Sequence, residues 1–188
     1  MYLKNHKFKN FQVEEFLYPI YFGVISMEYD TKKLIDFVYK VKKGVKLGVI
    51  KSNTQNSYQT HKLNVIEDLI EFSNKLQEFL SEHMCVQVNN FEFWANINSL
   101  GGANNVHTHI SRNDAESLQK NMSGVYYLKV NEKSGNIGFL NPIYLNEQTF
   151  YIPKEKDLII FPSYVPHFVE PNLNSEDRIT IAFNFKIG

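Results

Sequence analysis

Apolar positions along this chain change their period twice, and each change marks a change of element. Residues 8–29 (FKNFQVEEFLYPIYFGVISMEY) are rich in aromatic and β-branched side chains, which predicts extended, paired backbone, with Pro19 confining it to an edge or a bend. At Asp30-Thr31 either residue can cap a helix, and Leu34, Val38 and Val41 then recur on one helical face up to a stop at Gly44. Periodicity lapses from Gly44 to about Leu63, where Ser52-Asn53-Thr54-Gln55-Asn56-Ser57 reads as a polar surface loop. Asn64 can cap a second helix whose stripe of Val65, Leu69, Phe72, Leu76, Phe79 and Leu80 runs to about His83 and should pack on a sheet. From Phe91 onward the period is that of strands: 91–98, 123–130, 137–140, 149–152, 157–161, 168–170 and 178–185. Short strands separated by turns predict a sandwich or barrel, in a mainly β (α+β) protein with two helices in its N-terminal half.

Composition narrows the function classes. At 188 residues with 43% hydrophobic content the chain suits one core, so 1–188 is expected to be a single domain, with 1–90 supporting a β core over 91–188. Twenty basic and twenty acidic residues cancel, which gives no overall field for nucleic acid. The single cysteine, Cys85, excludes an intramolecular disulfide and a thiolate-rich metal site built from this chain. No apolar run has the length of a membrane helix and the first ten residues have no signal-like apolar centre, so a soluble, cytoplasmic protein is expected.

The candidate chemistry lies at His107-Thr108-His109. In a strand, side chains at i and i+2 leave one face about 6–7 Å apart along the backbone, so the two imidazoles can reach one ion. His167, in a turn fixed by Pro162 and Pro166, is placed to be a third ligand, leaving coordination positions open. His83, in a last helical turn, is expected to be structural, and His6 and His61 to be exposed. Phe91, Phe93, Trp94, Phe139, Phe161, Phe183 and Phe185 alternate in strands and are expected to form core layers. Asn96, Asn98 and Asn184 are polar positions in apolar strands, placed either at a cavity or at an edge. Ser163 reads as a turn residue or as a partner to a ligand.

Taken in order, Trp94-Ala95-Asn96-Ile97, His107-Thr108-His109, Ser123-Gly124-Val125-Tyr126-Tyr127-Leu128, Phe161-Pro162-Ser163, His167 and Arg178-Ile179-Thr180-Ile181-Ala182-Phe183-Asn184 resemble the 2-oxoglutarate and Fe(II)-dependent oxygenases. The resemblance is to the oxygenase family with a His-x-His pair before Ser-Gly-x-Tyr-Tyr, and it covers roughly residues 45–185. It implies a double-stranded β-helix (jelly roll, cupin-like) with Fe(II) held by His107, His109 and His167, and with 2-oxoglutarate and O₂ as cosubstrates. It further implies that Arg178 pairs with the distal carboxylate of 2-oxoglutarate, supported by Thr180, with Asn96 and Tyr126 or Tyr127, Tyr126 being preferred, also facing the cosubstrate.

The sequence departs from that pattern in two places. Most relatives have Asp or Glu where His109 stands, so the implied face is either three imidazoles, or His107 and His167 with a carboxylate such as Asp114 or Glu116, or His107 alone of the pair. Residues 110–121 form a long connection that reads as a lid or as a solvated loop, and Asn141-Pro142-Ile143 stands where relatives tend to have an acidic residue, proline and arginine. The expected activity is a dioxygenase acting on an unidentified small-molecule or peptide substrate. The alternatives are a three-histidine cupin-like metalloprotein that uses no 2-oxoglutarate, and a non-enzymatic jelly-roll binding module. A homodimer through the first helix and the aromatic N-terminal segment is also compatible with the sequence.

Overall fold

The computed structural model describes residues 12–15, 21–63, 67–110, 120–144 and 146–188. Among the described residues eleven strands and two helices follow in the order β1 Gln12–Glu15, β2 Tyr21–Ser26, α1 Thr31–Gly44, β3 Ser57–Gln59, α2 Glu67–Met84, β4 Val88–Asn98, β5 Asn104–His107, β6 Asn121–Lys129, β7 Ile137–Leu140, β8 Gln148–Tyr151, β9 Asp157–Pro162, β10 His167–Val169 and β11 Arg178–Ile187. They pair antiparallel into a seven-stranded sheet, β1-β2-β9-β6-β11-β4-β3, and a four-stranded sheet, β5-β10-β7-β8. From β4 on, the chain alternates between the two sheets except at the β7–β8 hairpin within the smaller one, which is the double-stranded β-helix.

Strand β11 shows how the sequence builds two environments on one strand. Ile179, Ile181, Phe183 and Phe185 face the helices and join Phe93, Ala95, Ile97, Tyr126, Leu158 and Ile160 in the larger core. The intervening residues, Arg178, Thr180, Ala182 and Asn184, face the other way, because successive strand side chains alternate. Helix α1 starts where expected, with the Asp30 carboxylate accepting the Lys32 N–H at 3.1 Å, and buries Leu34, Phe37 and Val38. Helix α2 buries Leu69, Phe72, Leu76 and Leu80 completely against the sheet, and Phe72 meets Tyr29 edge-on at 5.3 Å. The proposed cap Asn64 and the start of the stripe at Val65 lie outside the described residues.

Three expectations are corrected. Ser57, read as the end of a surface loop, opens the strand Ser57–Gln59, which pairs with Asn96–Asn98 of β4, and Asn53 of that loop bridges to Asn104; a three-residue strand is too short to show a period. Trp94, assigned to the core layers, faces the opposite side of β4 from Phe93 and meets the His109 ring at 5.1 Å. The chain also leaves extended geometry after His107, so His109 lies beyond the end of β5 rather than on it. Among the described residues no helix is long and apolar enough to cross a membrane.

Candidate metal centre

Register places the first two imidazoles. His107, the last residue of β5, is the cross-strand partner of His167, the first residue of β10. Past β5 the His109 N–H donates to the Ser163 carbonyl at 2.9 Å, which turns the third ring toward them. The ring centroids lie 4.3 Å (His107–His167), 5.1 Å (His107–His109) and 4.8 Å (His109–His167) apart, and one ligand atom from each falls within 4.8 Å of the others. Metal–imidazole bonds of about 2.0–2.1 Å would draw these atoms closer by small rotations. Asp114 and Glu116, the alternative carboxylates, and most of the proposed lid lie outside the described residues.

All three rings are tied down by Nδ1. His107 Nδ1 meets the Asn105 carbonyl at 2.7 Å and His167 Nδ1 meets the Val165 carbonyl at 2.9 Å. A carbonyl only accepts, so each of these Nδ1 atoms carries the hydrogen and each Nε2 presents a lone pair. His109 Nδ1 lies 3.0 Å from Asn184 Oδ1 and 2.9 Å from Ser123 Oγ. The Ser123 hydroxyl sits 2.8 Å from the same Asn184 oxygen and 2.8 Å from Ser163 Oγ. Sequence reasoning had Asn184 and Ser163 only as general candidates and overlooked Ser123, whose partners come from β11 and the β9–β10 turn.

Electrostatics favour the neutral, ligating form. Burial, followed by the neighbouring imidazoles, holds His167 well below the ordinary histidine value. Burial and then His107 push His109 down to about 3, and burial lowers His107. The donor set of three neutral imidazoles therefore fits a borderline divalent ion such as Fe(II), with its remaining positions open.

Beneath the histidines a small cavity of about 40 Å³ runs to Arg178. Arg178 is 1% exposed. Its Nη1 donates to the carbonyls of Ser134 at 2.6 Å and Gly135 at 3.1 Å. Gly135 has φ +88°, and a Cβ there would sit 2.4 Å from the Glu170 carbonyl oxygen and 2.9 Å from Arg178 Nη1, so the turn that presents these carbonyls requires glycine. The other guanidinium nitrogen, Nη2, is buried with no hydrogen-bond partner among the described residues. Burial lowers the Arg178 pKa to about 10, which leaves a cation at neutral pH. A buried cation with an unmet donor calls for an anion, and the planar fork suits a carboxylate.

A polar row crosses the sheet beside it, since Thr180 pairs with Asn96 on one side and Tyr127 on the other. Asn96 Nδ2 reaches Thr180 Oγ1 at 3.4 Å, and its Oδ1 is buried without a partner among the described residues. Tyr127 lines the cavity and its phenol is held high by burial. The preference for Tyr126 is corrected: its hydroxyl donates to the Met27 carbonyl at 2.8 Å on the helix-facing side, where its ring meets Phe72 at 5.3 Å. Neighbours on a strand face opposite ways, so the sequence could limit the choice to one tyrosine but could not decide which. On the outer side His107 and His109 also line an open cleft of about 1120 Å³, with Lys51, Trp94 and Lys186.

The residues fit both groups that the resemblance implies: the imidazoles a divalent metal, and Arg178 Nη2 a carboxylate at the far end of the cavity. No curated protein sequence matches the chain. Among solved structures it is similar to a prolyl-4-hydroxylase from Pseudomonas putida, at 12% identity and TM-score 0.62, covering 88% of this chain and 91% of that one. It is also similar to a prolyl hydroxylase from Trichoplax adhaerens in complex with a hypoxia inducible factor peptide fragment, at 14% identity and TM-score 0.66, covering 88% and 83%. HygX from Streptomyces hygroscopicus with nickel and 2-oxoglutarate bound is similar at 10% identity and TM-score 0.63, covering 88% and 82%. Residues 92–184, the stretch that supplies all three imidazoles and Arg178, match the family described as "Putative 2OG-Fe(II) oxygenase", so the part of the chain that carries the site is that of a 2-oxoglutarate and Fe(II)-dependent oxygenase.

Proposed function

We propose that the reaction is hydroxylation of a substrate C–H bond, with His107, His109 and His167 holding Fe(II) and Arg178 and Thr180 holding the distal carboxylate of 2-oxoglutarate. The observation that carries this reading is the orphaned Nη2 of Arg178, buried at the far end of a cavity whose near end is the imidazole cluster. Bound iron would supply the O₂ chemistry, in which 2-oxoglutarate, O₂ and a substrate C–H become succinate, CO₂ and C–OH.

The chain's own residues do the positioning. The carbonyls of Asn105 and Val165 and the Asn184 amide oxygen keep hydrogens on Nδ1, so that Nε2 faces the ion. Ser134 and Gly135 clamp one edge of Arg178 and leave the other for the ligand. Tyr127 and Asn96 flank that slot with polar groups in the protein interior, where the low dielectric strengthens each charge-assisted contact. His107 and His109 face both the inner cavity and the outer cleft, which gives the cosubstrate and the substrate separate approaches to one ion.

The cupin-like reading without 2-oxoglutarate takes support from the carboxylate-free ligand set, but it gives Arg178 nothing to bind. The test is aerobic succinate formation from 2-oxoglutarate with added Fe(II), together with calorimetric titration of 2-oxoglutarate into the Zn(II)-loaded protein. Absence of both succinate and 2-oxoglutarate binding, with metal retained, returns the protein to the cupin-like class. The same reading places the protein in a reducing, cytoplasmic compartment, consistent with its single cysteine, and allows a homodimer that sedimentation would detect.

A further inference from the structure

We propose that the primary substrate is a small carboxylate, its anionic group held by Lys51 at the rim of the outer cleft while its apolar body lies along Trp94 over the metal centre. This rests on the oxygenase reading above and adds the class of molecule that it acts on.

Lys51 falls where the sequence loses its periodicity, beside the stretch read as a surface loop, yet this segment is built as a wall of the cleft. The Val49 N–H donates to the Gln59 carbonyl at 2.9 Å, and the Asn105 N–H donates to the Ser52 carbonyl at 2.7 Å. Asn53 Nδ2 reaches the Val49 carbonyl at 2.7 Å and Gln59 Oε1 at 3.0 Å, while Asn53 Oδ1 accepts from Asn104 at 2.6 Å. Residues 49–53 are thereby fastened to β3 and β5, and β5 carries His107. A loop pinned on both sides fixes the backbone from which the exposed Lys51 side chain leaves at the cleft.

Charge in the cleft is one-sided. Its basic lining residues are Lys51, Lys62 and Lys186, with His61, and its acidic lining residue among those described is Glu92. Glu92 is already paired with Lys62. Lys51 has no ion-pair or hydrogen-bond partner among the described residues, and its positive charge acts on both His107 and His109. An uncompensated ammonium beside two rings that face the metal site favours an anion there, and burial beneath a bound ligand would raise that preference above the surface value. Trp94, edge-on to His109 at 5.1 Å, gives the same wall an apolar ring against which a hydrocarbon can rest while its C–H faces the ion.

Arg178 already serves the distal carboxylate of 2-oxoglutarate from the inner cavity, so Lys51 on the outer side is left for a second anion. The competing source of the same chemistry is 2-oxoglutarate itself, drawn in past Lys51. Trp94 is the sole tryptophan, so its indole N–H is a single assignable resonance. The experiment compares the nitroxides carboxy-PROXYL and carbamoyl-PROXYL, which share one ring and differ in a carboxylate against an amide, by the broadening that each causes at that resonance. In the metal-free protein the carboxylate probe is expected to broaden it several-fold more than the amide, with saturation. Lys51→Gln should make the two probes equal, and Lys51→Arg should keep the difference. Equal broadening in the unaltered protein, or a difference that survives Lys51→Gln, overturns the proposal.

Repeating the comparison with Zn(II) and saturating 2-oxoglutarate separates the two sources. A preference that persists supports the substrate subsite, and one abolished by 2-oxoglutarate overturns it by assigning Lys51 to cosubstrate entry. If calorimetry shows that 2-oxoglutarate does not bind the Zn(II) protein, the oxygenase reading fails. The metal-free comparison would still decide whether the carboxylate subsite exists.

Discussion

Asn184 and Arg178 show how single residues set this site. Asn184 Oδ1 is the acceptor that fixes the His109 tautomer, so Asn184→Leu should leave the fold intact and weaken metal binding by roughly 10–100-fold, read by competition with a chromophoric chelator. Unchanged affinity would mean that Ser123 alone orients the ring. Arg178→Lys keeps a charge but lacks the fork. Its ammonium can replace the contacts to Ser134 and Gly135 or meet a carboxylate, but not both, so 2-oxoglutarate affinity should fall at least tenfold while metal affinity holds. Parallel loss of both affinities would identify Arg178 as a fold residue. His107 and His109 could be singled out by their spacing and His167 by its proline-fixed turn, and Arg178 by the family resemblance of its strand. Ser123 could not, since a serine in a strand has many uses and its partners, Asn184 and Ser163, come together only through pairing.

At the scale of the element, β6 carries the tightest constraint. Gly124 stands opposite Phe183 of β11, and a Cβ there would lie 2.3 Å from the Phe183 ring and 2.7 Å from Ile160. Gly124→Val should therefore lower the melting temperature by many degrees, whereas a melting temperature within a degree of the parent would show that the ring can move aside. Phe72 of α2 is wholly buried against Tyr29 and Phe93, and Phe72→Ala should cost about 3–5 kcal/mol in denaturant unfolding, since it leaves a cavity that the sheet cannot fill. Both helices were readable because their stripes persist for several turns. The β3 pairing was not, because three residues carry no measurable period and β3 gains its place from β4 beside it.

Across the whole molecule, His107 and His167 meet only when β5 pairs with β10, and His109 is held in place by Ser123 and Asn184 of the other sheet, so metal binding and folding are linked. Added Zn(II) should raise the melting temperature and chelation should reverse it; a ligand at a hundred times its dissociation constant contributes about 2.7 kcal/mol. The pH dependence has a definite sign. In the unfolded chain the histidines titrate near 6.5, whereas in the fold His109 is pushed down to about 3. Below pH 6.5 the unfolded state takes up protons that the folded state refuses, so the stability of the metal-free protein is fully present above that pH and is lost progressively as pH falls toward 3. Melting temperatures of the parent and His109→Gln between pH 7.5 and 4.5 check this: the parent should lose more, and equal slopes would remove His109 as the cause.

The sequence by itself determined the histidine and arginine candidates and the longer helices and strands, because residue type and spacing are properties of the linear chain. Only the tertiary structure decided that Tyr127 rather than Tyr126 lines the cavity, that His109 is held by Asn184, and that Lys51 stands at the rim of the cleft. These depend on strand register and on contacts between residues far apart in the chain, and a single strand read alone has two faces and no record of which is buried.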